Sequence, residues 1–186
     1  MTCSERPFTV FVEGNIGSGK STFLSYFNDF ADIFVALEPV HLWQDVDGHN
    51  ILELMYDAPL EWSFAFQSLV QKTMLDIHTA KSLFSLVHRH VFIENLYRQN
   101  VMAPAEYTVT NLFLRIDRCM KYVTWIFMFT VYLRSDPEVV YTRMRERGRT
   151  EENQVSLEYL KQIHRLHEDW LVQKTVVENL PPVRPL

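Results

Sequence analysis

The sequence is poor in cysteine and has no long apolar run, and both absences narrow the class of protein. The two cysteines, Cys3 and Cys119, lie far apart with no CxxC spacing, which argues against a disulfide framework or a zinc site and fits a reducing compartment. The longest apolar run, residues 122–133, has 12 residues, whereas a membrane-spanning helix needs about 20. Only seven residues precede the first apolar run, too few for a secretory signal. We therefore expect a cytoplasmic protein without membrane contact, or a mitochondrial one if a longer native N-terminus exists.

Positive charge is also scarce. The chain of 186 residues has 18 Lys and Arg against 23 Asp and Glu, a formal net charge of −5, so it lacks the basic surface that binding to a nucleic acid polymer needs. With 47% hydrophobic residues, the length suits one domain with a sizeable core. We predict that this domain spans residues 8–175 and that the termini, 1–7 and 176–186, are loose.

Two short β-branched and aromatic runs, residues 8–14 and 32–39, enclose about 18 residues of helical pattern. This order predicts a strand, a helix and a second strand parallel to the first. The apolar run that ends at Leu133 predicts a further buried strand. The fold class we expect is α/β, a parallel sheet flanked by helices.

Helical periodicity continues through the middle and the C-terminal part of the chain. Apolar residues recur there at three- and four-residue spacing. Asp136 is expected to cap a helix that has Pro137 at its first position, and Ser156 is expected to cap the last helix. The expected helices cover residues 52–56, 62–78, 138–147 and 156–173.

Three of the five glycines lie within six positions, 14–19, directly between an apolar run and an amphipathic one. The stretch GNIGSGKS fits the pattern G-x-x-x-x-G-K-[ST] in the strand-to-helix context of a phosphate-binding loop. Glycines let backbone amides approach a phosphate that a Cβ would block, the start of the helix adds its dipole, Lys20 supplies a positive charge and Ser21 offers a hydroxyl to Mg²⁺. The pattern predicts that ATP is bound by Gly14, Asn15, Ile16, Gly17, Ser18, Gly19, Lys20, Ser21 and Thr22.

Glu38 and Pro39 end the second predicted strand, at the sheet edge where a doubly wound sheet places its ligand. A carboxylate there is suited to accept a proton from a hydroxyl that attacks the γ-phosphate, or to hold Mg²⁺ through water. We predict that Glu38 is a catalytic base and, with Ser21, a metal ligand. The alternative is a solvated glutamate at a strand end.

Seven sequence blocks follow one another in a fixed order: VEGNIGSGKST, LEPVHLW, ILELMY, FQS, VFIENLY, VYLRSDPE and RERGRTEEN with LEYLKQIHRLHEDWL. Together they cover most of residues 8–171 and resemble the deoxyribonucleoside kinase family, most closely its insect multisubstrate and mitochondrial thymidine kinase branches. The resemblance implies nucleotide salvage by transfer of the γ-phosphoryl group of ATP, with Mg²⁺, to the 5′-hydroxyl of a deoxyribonucleoside, with a leaning towards pyrimidines. It also implies a homodimer formed through helices.

The resemblance assigns roles to single residues in these blocks. Glu38 would take the 5′-hydroxyl proton, and Gln67, in FQS, would hydrogen-bond the base edge through an amide that both donates and accepts. Without the resemblance, an exposed helix glutamine is the simpler interpretation of Gln67. The base would lie in an apolar cleft, although periodicity alone assigns most of its residues to a core. The cleft residues are Trp43, Met55, Phe66, Val70, Met74 and Phe92.

The remaining roles concern the sugar and the phosphoryl group. The resemblance implies that Tyr56 and Glu152 recognise the 3′-hydroxyl. Arg147 and Arg149, in RERGR, would form an arginine-rich lid whose guanidinium groups, with Lys20, stabilise negative charge on the transferred group. From composition alone, the same charged run is a solvated face.

The sequence departs from the family between the helix over 62–78 and the block VFIENLY. The family has a strand there that ends in an acidic residue, Arg and Ser, and this chain is shorter. Three alignments are open: one puts Lys81 in place of the arginine, one matches Arg89 to a different, helical arginine, and one makes SLFSLV a rebuilt strand before Arg89.

Two other functions are therefore open. One is a catalytically weakened or inactive nucleotide-binding paralogue, or a truncated product, because that motif has no clear match and the last strand and helix of the family are absent. The other is a nucleoside-monophosphate kinase, which would fit the loop and the lid. That activity needs further arginines for the phosphate of the acceptor, and the middle of the chain offers few.

Overall fold

The computed structural model describes residues 9–80, 90–121 and 128–175. Two parallel strands, β1 (Thr9–Glu13) and β2 (Met128–Tyr132), pair with Glu13 opposite Tyr132. The N–H of Leu133 extends the ladder by donating to the carbonyl oxygen of Glu13 at 2.8 Å. The parallel pair and the surrounding helices confirm the expected fold class. The alignments that involve Lys81 and Arg89, and the two termini, concern residues outside those described.

Helices make up most of the described chain, and their bounds follow. They are α1 (Lys20–Ser25), α2 (His41–Gln44), α3 (Ile51–Asp57), α4 (Pro59–Ala80), α5 (His90–Arg98), α6 (Pro104–Lys121), α7 (Pro137–Arg147) and α8 (Leu157–His167). A 3₁₀ helix (Thr150–Gln154) precedes α8, and a π-helical turn (Glu168–Val172) follows it. The helices predicted over 52–56, 62–78 and 138–147 are confirmed. The last predicted helix is observed as α8 and the π-helical turn. Within the described part of the chain, no helix combines the length and apolarity that crossing a membrane requires.

The predicted caps explain where the C-terminal helices begin. The carboxylate of Asp136 accepts a hydrogen bond from the N–H of Glu138 at 2.9 Å, with Pro137 at the first helical position. The hydroxyl of Ser156 accepts one from the N–H of Tyr159 at 3.1 Å. Both helices therefore start at the residues that the sequence indicated.

The strand predicted over residues 32–39 is wrong. Residues 33–39 carry no regular secondary structure, and the strand paired with β1 in the described chain is β2. A strand is held by hydrogen bonds to a neighbour and by burial of its apolar side chains. Here Ile33, Phe34 and Leu37 are 45%, 39% and 46% exposed. The β-branched and aromatic composition of the segment therefore did not lead to a strand.

Two further expectations need correction. The helical pattern after the glycine-rich stretch yields only the six residues of α1, followed by turns, because α1 buries none of its side chains and a short helix depends on packing. The strand before Leu133 is only partly buried, with Thr130 exposed, since β2 has one neighbouring strand in the described chain.

Apolar clusters and one ion pair hold the helices beside the sheet. Val140 and Met144 of α7 pack against Val155 and Leu160, which joins α7 to α8. Just past α8, the carboxylate of Glu168 accepts hydrogen bonds from the hydroxyl of Tyr132 (3.1 Å) and from Nε and Nη2 of Arg134 (2.9 and 2.8 Å). The start of the π-helical turn is thereby tied to the end of β2.

Candidate active site

A cavity of about 1160 Å³ opens where β1 ends, between the loop after β1, the helices α3 and α4, and the turn after α7. Most of the site residues predicted from the sequence line it. Those residues are Ile16, Gly17, Ser18, Gly19, Lys20, Ser21, Thr22, Glu38, Trp43, Met55, Tyr56, Phe66, Gln67, Phe92, Arg147, Arg149 and Glu152. Gly14, Asn15, Val70 and Met74 are not in its lining.

The glycine-rich loop, residues 14–19, connects β1 to α1 and depends on left-handed backbone at two positions. Gly17 has φ 77° and Gly19 has φ 92°. A Cβ on Gly17 would lie 2.6 Å from the carbonyl oxygen of Val140, so this glycine lets the loop pack against α7. A Cβ on Gly19 would meet no atom within 4 Å, because this glycine borders the open cavity.

Polar contacts fix the glycine-rich loop from behind. The amide of Asn15 is buried, donates to the carbonyl oxygen of Leu160 at 2.8 Å and accepts from the N–H of Ile16 at 2.9 Å. Asn15 therefore anchors the loop to α8 rather than facing the cavity. Lys20 folds its ammonium group back onto the carbonyl oxygens of Gly14 and Asn15, at 2.8 and 2.9 Å.

Two features of the loop fit a triphosphate. The hydroxyl of Ser18 is buried and, among the described residues, has no hydrogen-bond partner. A buried hydroxyl without a partner carries a free-energy cost that a phosphate oxygen would remove. Lys20 is the only charged residue of the glycine motif, and it lines the same cavity.

Oxygen atoms suited to Mg²⁺ are present at the same end. Ser21 and Glu38 both line the cavity, although Glu38 belongs to the irregular segment and not to a strand. The described residues contain no cluster of three or more His, Cys, Asp or Glu that could hold a metal. Mg²⁺ commonly uses one or two protein oxygens together with phosphates and water, so a hydroxyl and one carboxylate fit it.

The apolar wall of the cavity is built on α2 and α4. Trp43 and Phe66 meet edge to face, with ring centroids 5.7 Å apart, and the indole Nε1–H of Trp43 donates to the hydroxyl of Thr73 at 3.0 Å. Val70 and Met74 lie one and two turns beyond Phe66 on the same face of α4. They are buried in the cluster around Trp43, so they support the wall and do not form its surface.

Gln67 is the polar residue of this wall. It is 2% exposed, so the interpretation as an exposed helix glutamine is wrong. Its Oε1 has no hydrogen-bond partner among the residues that the structure describes, although Gln67 borders the cavity. A buried carbonyl oxygen without a donor points to a ligand that brings one.

The arginine turn, residues 147–152, closes the opposite side. Gly148 ends α7 in a left-handed conformation with φ 68°, which directs the chain back over the cavity. Nη2 of Arg147 donates to both carboxylate oxygens of Glu152 at 2.6 Å, and Nη1 of Arg149 lies 3.4 Å from one of them. The side chains of Arg147 and Arg149 are 37% and 38% exposed, whereas that of Glu152 is 7% exposed. The turn is therefore an organised charge cluster rather than a fully solvated face.

A second carboxylate of the arginine turn has different partners. Oε1 of Glu151 accepts hydrogen bonds from Nε2 of Gln44 at 2.7 Å and from Nδ2 of Asn50 at 3.2 Å. Burial raises the pKa of Glu151, but its own backbone N–H and the two amides outweigh this effect, so the pKa lies below its ordinary value. Glu151 is ionised at neutral pH.

Several lining residues were missed from the sequence. Arg143 lies four residues before Arg147 on α7, a spacing that puts both guanidinium groups on one helix face, and this signal could have identified it. His41 follows Glu38 closely in LEPVHLW and also lines the cavity. Tyr159 had no sequence signal, since its place depends on how α8 packs.

Comparison with known protein families matches residues 10–184 to the deoxynucleoside kinase family. Thymidine kinase 2, mitochondrial, of Macaca fascicularis is 40% identical over 187 residues, which is 96% of this chain and 70% of that protein. Deoxyguanosine kinase, mitochondrial, of Xenopus laevis is 32% identical, and deoxycytidine kinase of Bos taurus is 30% identical. Each of the latter two alignments covers 91% of this chain and 77% of the relative. The resemblance of the seven sequence blocks is thus confirmed: the chain belongs to the deoxynucleoside kinase family.

Proposed function

We propose that this deoxynucleoside kinase transfers the γ-phosphoryl group of ATP to the 5′-hydroxyl of a pyrimidine deoxyribonucleoside. The observation that carries the proposal is the cavity itself, which is shared by the glycine-rich loop, Glu38, Gln67 and the arginine turn. Its volume of about 1160 Å³ exceeds that of a typical small-ligand site, as two substrates side by side require.

The donor would lie against the glycine-rich loop. Backbone amides of residues 16–19 and the hydroxyl of Ser18 would bind the phosphates, and the ammonium group of Lys20 would leave its contacts with Gly14 and Asn15 to reach them. Ser21 and Glu38 would hold Mg²⁺. The ion, when bound, neutralises charge on the phosphates.

Glu38 would act on the acceptor. Its carboxylate would take the proton of the 5′-hydroxyl as this oxygen attacks the γ-phosphorus. Arg147 and Arg149 would stabilise the equatorial oxygens of the transferred group through guanidinium hydrogen bonds. Both arginines contact Glu152 in the structure, so this lid function requires them to share or exchange that partner.

The nucleoside would occupy the apolar wall. Trp43, Met55, Phe66 and Phe92 would enclose the base, and the amide of Gln67 would pair with a donor and an acceptor on its edge, as a pyrimidine provides. Tyr56 and Glu152 would bind the 3′-hydroxyl. The Oε1 of Gln67, which has no hydrogen-bond partner in the described ranges, supports this arrangement. The 40% identity to thymidine kinase 2 favours a pyrimidine over the purine named by the deoxyguanosine kinase relative.

Turnover with two pyrimidine nucleosides tests the proposal directly. ADP release is measured with thymidine and deoxycytidine in the presence of Mg²⁺, for the wild type and for Glu38→Gln. Removal of a general base lowers kcat by about 10²- to 10⁴-fold. Glu61→Gln is the control, because Glu61 is exposed and lies outside the cavity. Equal rates for wild type and Glu38→Gln would show that Glu38 is not the base, and a folded wild type without turnover would refute the activity.

The other functions considered from the sequence are not favoured. The relatives named above are nucleoside kinases, so the similarity does not favour a nucleoside-monophosphate kinase activity. The family match over residues 10–184 and the 40% identity to thymidine kinase 2 also do not favour the weakened or inactive nucleotide-binding paralogue or the truncated product, and the turnover assay above tests these alternatives. We further propose a single domain over residues 8–175 and a homodimer.

A further inference from the structure

The 3₁₀ helix of the arginine turn carries two adjacent carboxylates that are both buried. Glu152 contacts Arg147 and borders the cavity. Glu151 does not border the cavity and binds the amides of Gln44 and Asn50 instead. The carboxylate of Glu151 is 7% exposed and accepts hydrogen bonds from two amides at a place outside the cavity. The proposed chemistry therefore does not use it.

Asn50 links this carboxylate to α3, a helix that borders the cavity. Its Oδ1 accepts from the N–H of Glu53 at 3.0 Å and so caps α3, while its Nδ2 donates to Glu151. Met55 and Tyr56 follow on α3 and line the cavity. One asparagine amide therefore connects the start of α3 to the arginine turn.

We propose that Glu151 is a positioning residue, which holds its neighbour Glu152 in place relative to α3 through hydrogen bonds to Gln44 and Asn50. The 3₁₀ helix has only five residues, so a shift of Glu151 is passed directly to Glu152 and to the guanidinium group of Arg147. The inference rests on the proposed function, in which Glu152 and Tyr56 together recognise the 3′-hydroxyl.

The proposal is tested by measuring how strongly the enzyme prefers a substrate that has a 3′-hydroxyl. The measured quantity is the ratio of kcat/KM for thymidine to kcat/KM for 3′-deoxythymidine. This ratio does not depend on the fraction of enzyme that is folded, because both values come from the same sample. Glu151→Ala removes the acceptor for both amides and displaces Glu152. A displaced Glu152 loses its hydrogen bond to the 3′-hydroxyl of thymidine, whereas 3′-deoxythymidine has no such bond to lose. Because this bond is to a charged group, we expect the ratio to fall by about tenfold.

Two variants control for a purely structural role. Glu151→Gln keeps an acceptor oxygen for Gln44 and Asn50, so the ratio stays at the wild-type level. Glu94→Ala removes a buried carboxylate that binds Arg98 and Tyr107 outside the cavity lining. It lowers the melting temperature and leaves the ratio unchanged. A fall of the ratio in Glu94→Ala equal to that in Glu151→Ala would overturn the proposal.

An exchange of acid and amide gives a second, independent test if Glu151→Ala does not fold. Asn50→Asp keeps an oxygen that caps α3 but turns a carboxylate towards Glu151, so the ratio falls. The double variant Asn50→Asp with Glu151→Gln restores one donor and one acceptor, so the ratio recovers. If the wild type discriminates but the ratio does not change in Glu151→Ala or in Asn50→Asp, the positioning role is refuted. A wild type with turnover but no discrimination refutes the assigned role of Glu152 instead, and the positioning role with it.

Discussion

Two glycines of this chain share a left-handed backbone conformation but differ in their surroundings. Substituting each of them separates the cost of forcing a Cβ into that conformation from the loss of the proposed phosphate contact. Gly19, in the glycine-rich loop, has φ 92°, and Gly48, in the turn before α3, has φ 87°. A Cβ on either would meet no atom within 4 Å. Gly19 borders the cavity, and Gly48 does not.

Alanine at either position has to adopt a left-handed backbone, which costs about 1–2 kcal/mol. For a domain of this size, such a loss lowers the melting temperature by about 2–8 °C. Gly19→Ala and Gly48→Ala are therefore expected to show similar thermal shifts. Gly17→Ala is expected to show a larger one, because its Cβ would also lie 2.6 Å from the carbonyl oxygen of Val140, too close for two non-bonded atoms.

Activity separates the first two variants. In Gly19→Ala the added methyl group lies where the phosphates would approach the loop amides, and loss of one amide–phosphate hydrogen bond of about 1.5 kcal/mol raises the KM for ATP about tenfold. Gly48→Ala is expected to keep the wild-type KM. The assay is initial-rate kinetics with ATP varied at saturating thymidine, beside thermal unfolding of the same samples. Equal KM values for ATP in the two variants would show that Gly19 does not face the phosphates.

Two further predictions concern polar side chains, one of them buried and the other partly buried. Gln67→Met replaces a buried amide whose Oε1 has no partner among the described residues, so thermal unfolding should show equal or higher stability. An unmade hydrogen bond costs about 1–3 kcal/mol, so the KM for thymidine should rise by about 5- to 150-fold. A lower melting temperature with an unchanged KM would contradict this prediction. Burial raises the pKa of Glu168, but hydrogen bonds from Arg134 and Tyr132 outweigh this and hold the pKa below its ordinary value of 4.5. Because the folded-state pKa is the lower one, the contribution of Glu168 to stability is present above about pH 4.5 and is lost as the pH falls through the folded-state pKa. The difference in melting temperature between wild type and Glu168→Gln should therefore shrink between pH 6 and pH 3, at roughly constant ionic strength, and a difference that grows on acidification would refute this sign.

Local signals in the sequence predicted local structure well. Asp136, Pro137 and Ser156 placed two helix starts because a cap depends on a few neighbouring atoms. The prediction of a strand over residues 32–39 was wrong, because a strand forms only beside another strand, and the local sequence does not show whether one is adjacent. Gln67 needed tertiary information as well, since only packing of α4 decides that its amide is buried.

The candidate site shows the same division between local and distant causes. The glycine pattern indicated the loop, yet it could not tell that Asn15 turns towards α8 while Ser18 borders the cavity. Glu151 had no signal beyond its charge, because its partners Gln44 and Asn50 lie about a hundred positions earlier in the chain. Contacts of this kind appear only when the helices are packed.

The short parallel pair of strands sets where the glycine-rich loop and the arginine turn lie relative to each other. Parallel strands end at the same sheet edge, so the glycine-rich loop after β1 and the cap of α7 after β2 start side by side. Gly17 then packs against the carbonyl oxygen of Val140, which fixes α7 to the loop near its first turns. At 1.5 Å per residue, the 11 residues of α7 span about 16 Å and carry Arg147 to the far side of the cavity. The length of one helix therefore sets the distance between the loop and the arginine turn, and insertion of a residue within α7 would rotate Arg147 by about 100° around the helix axis, away from Glu152.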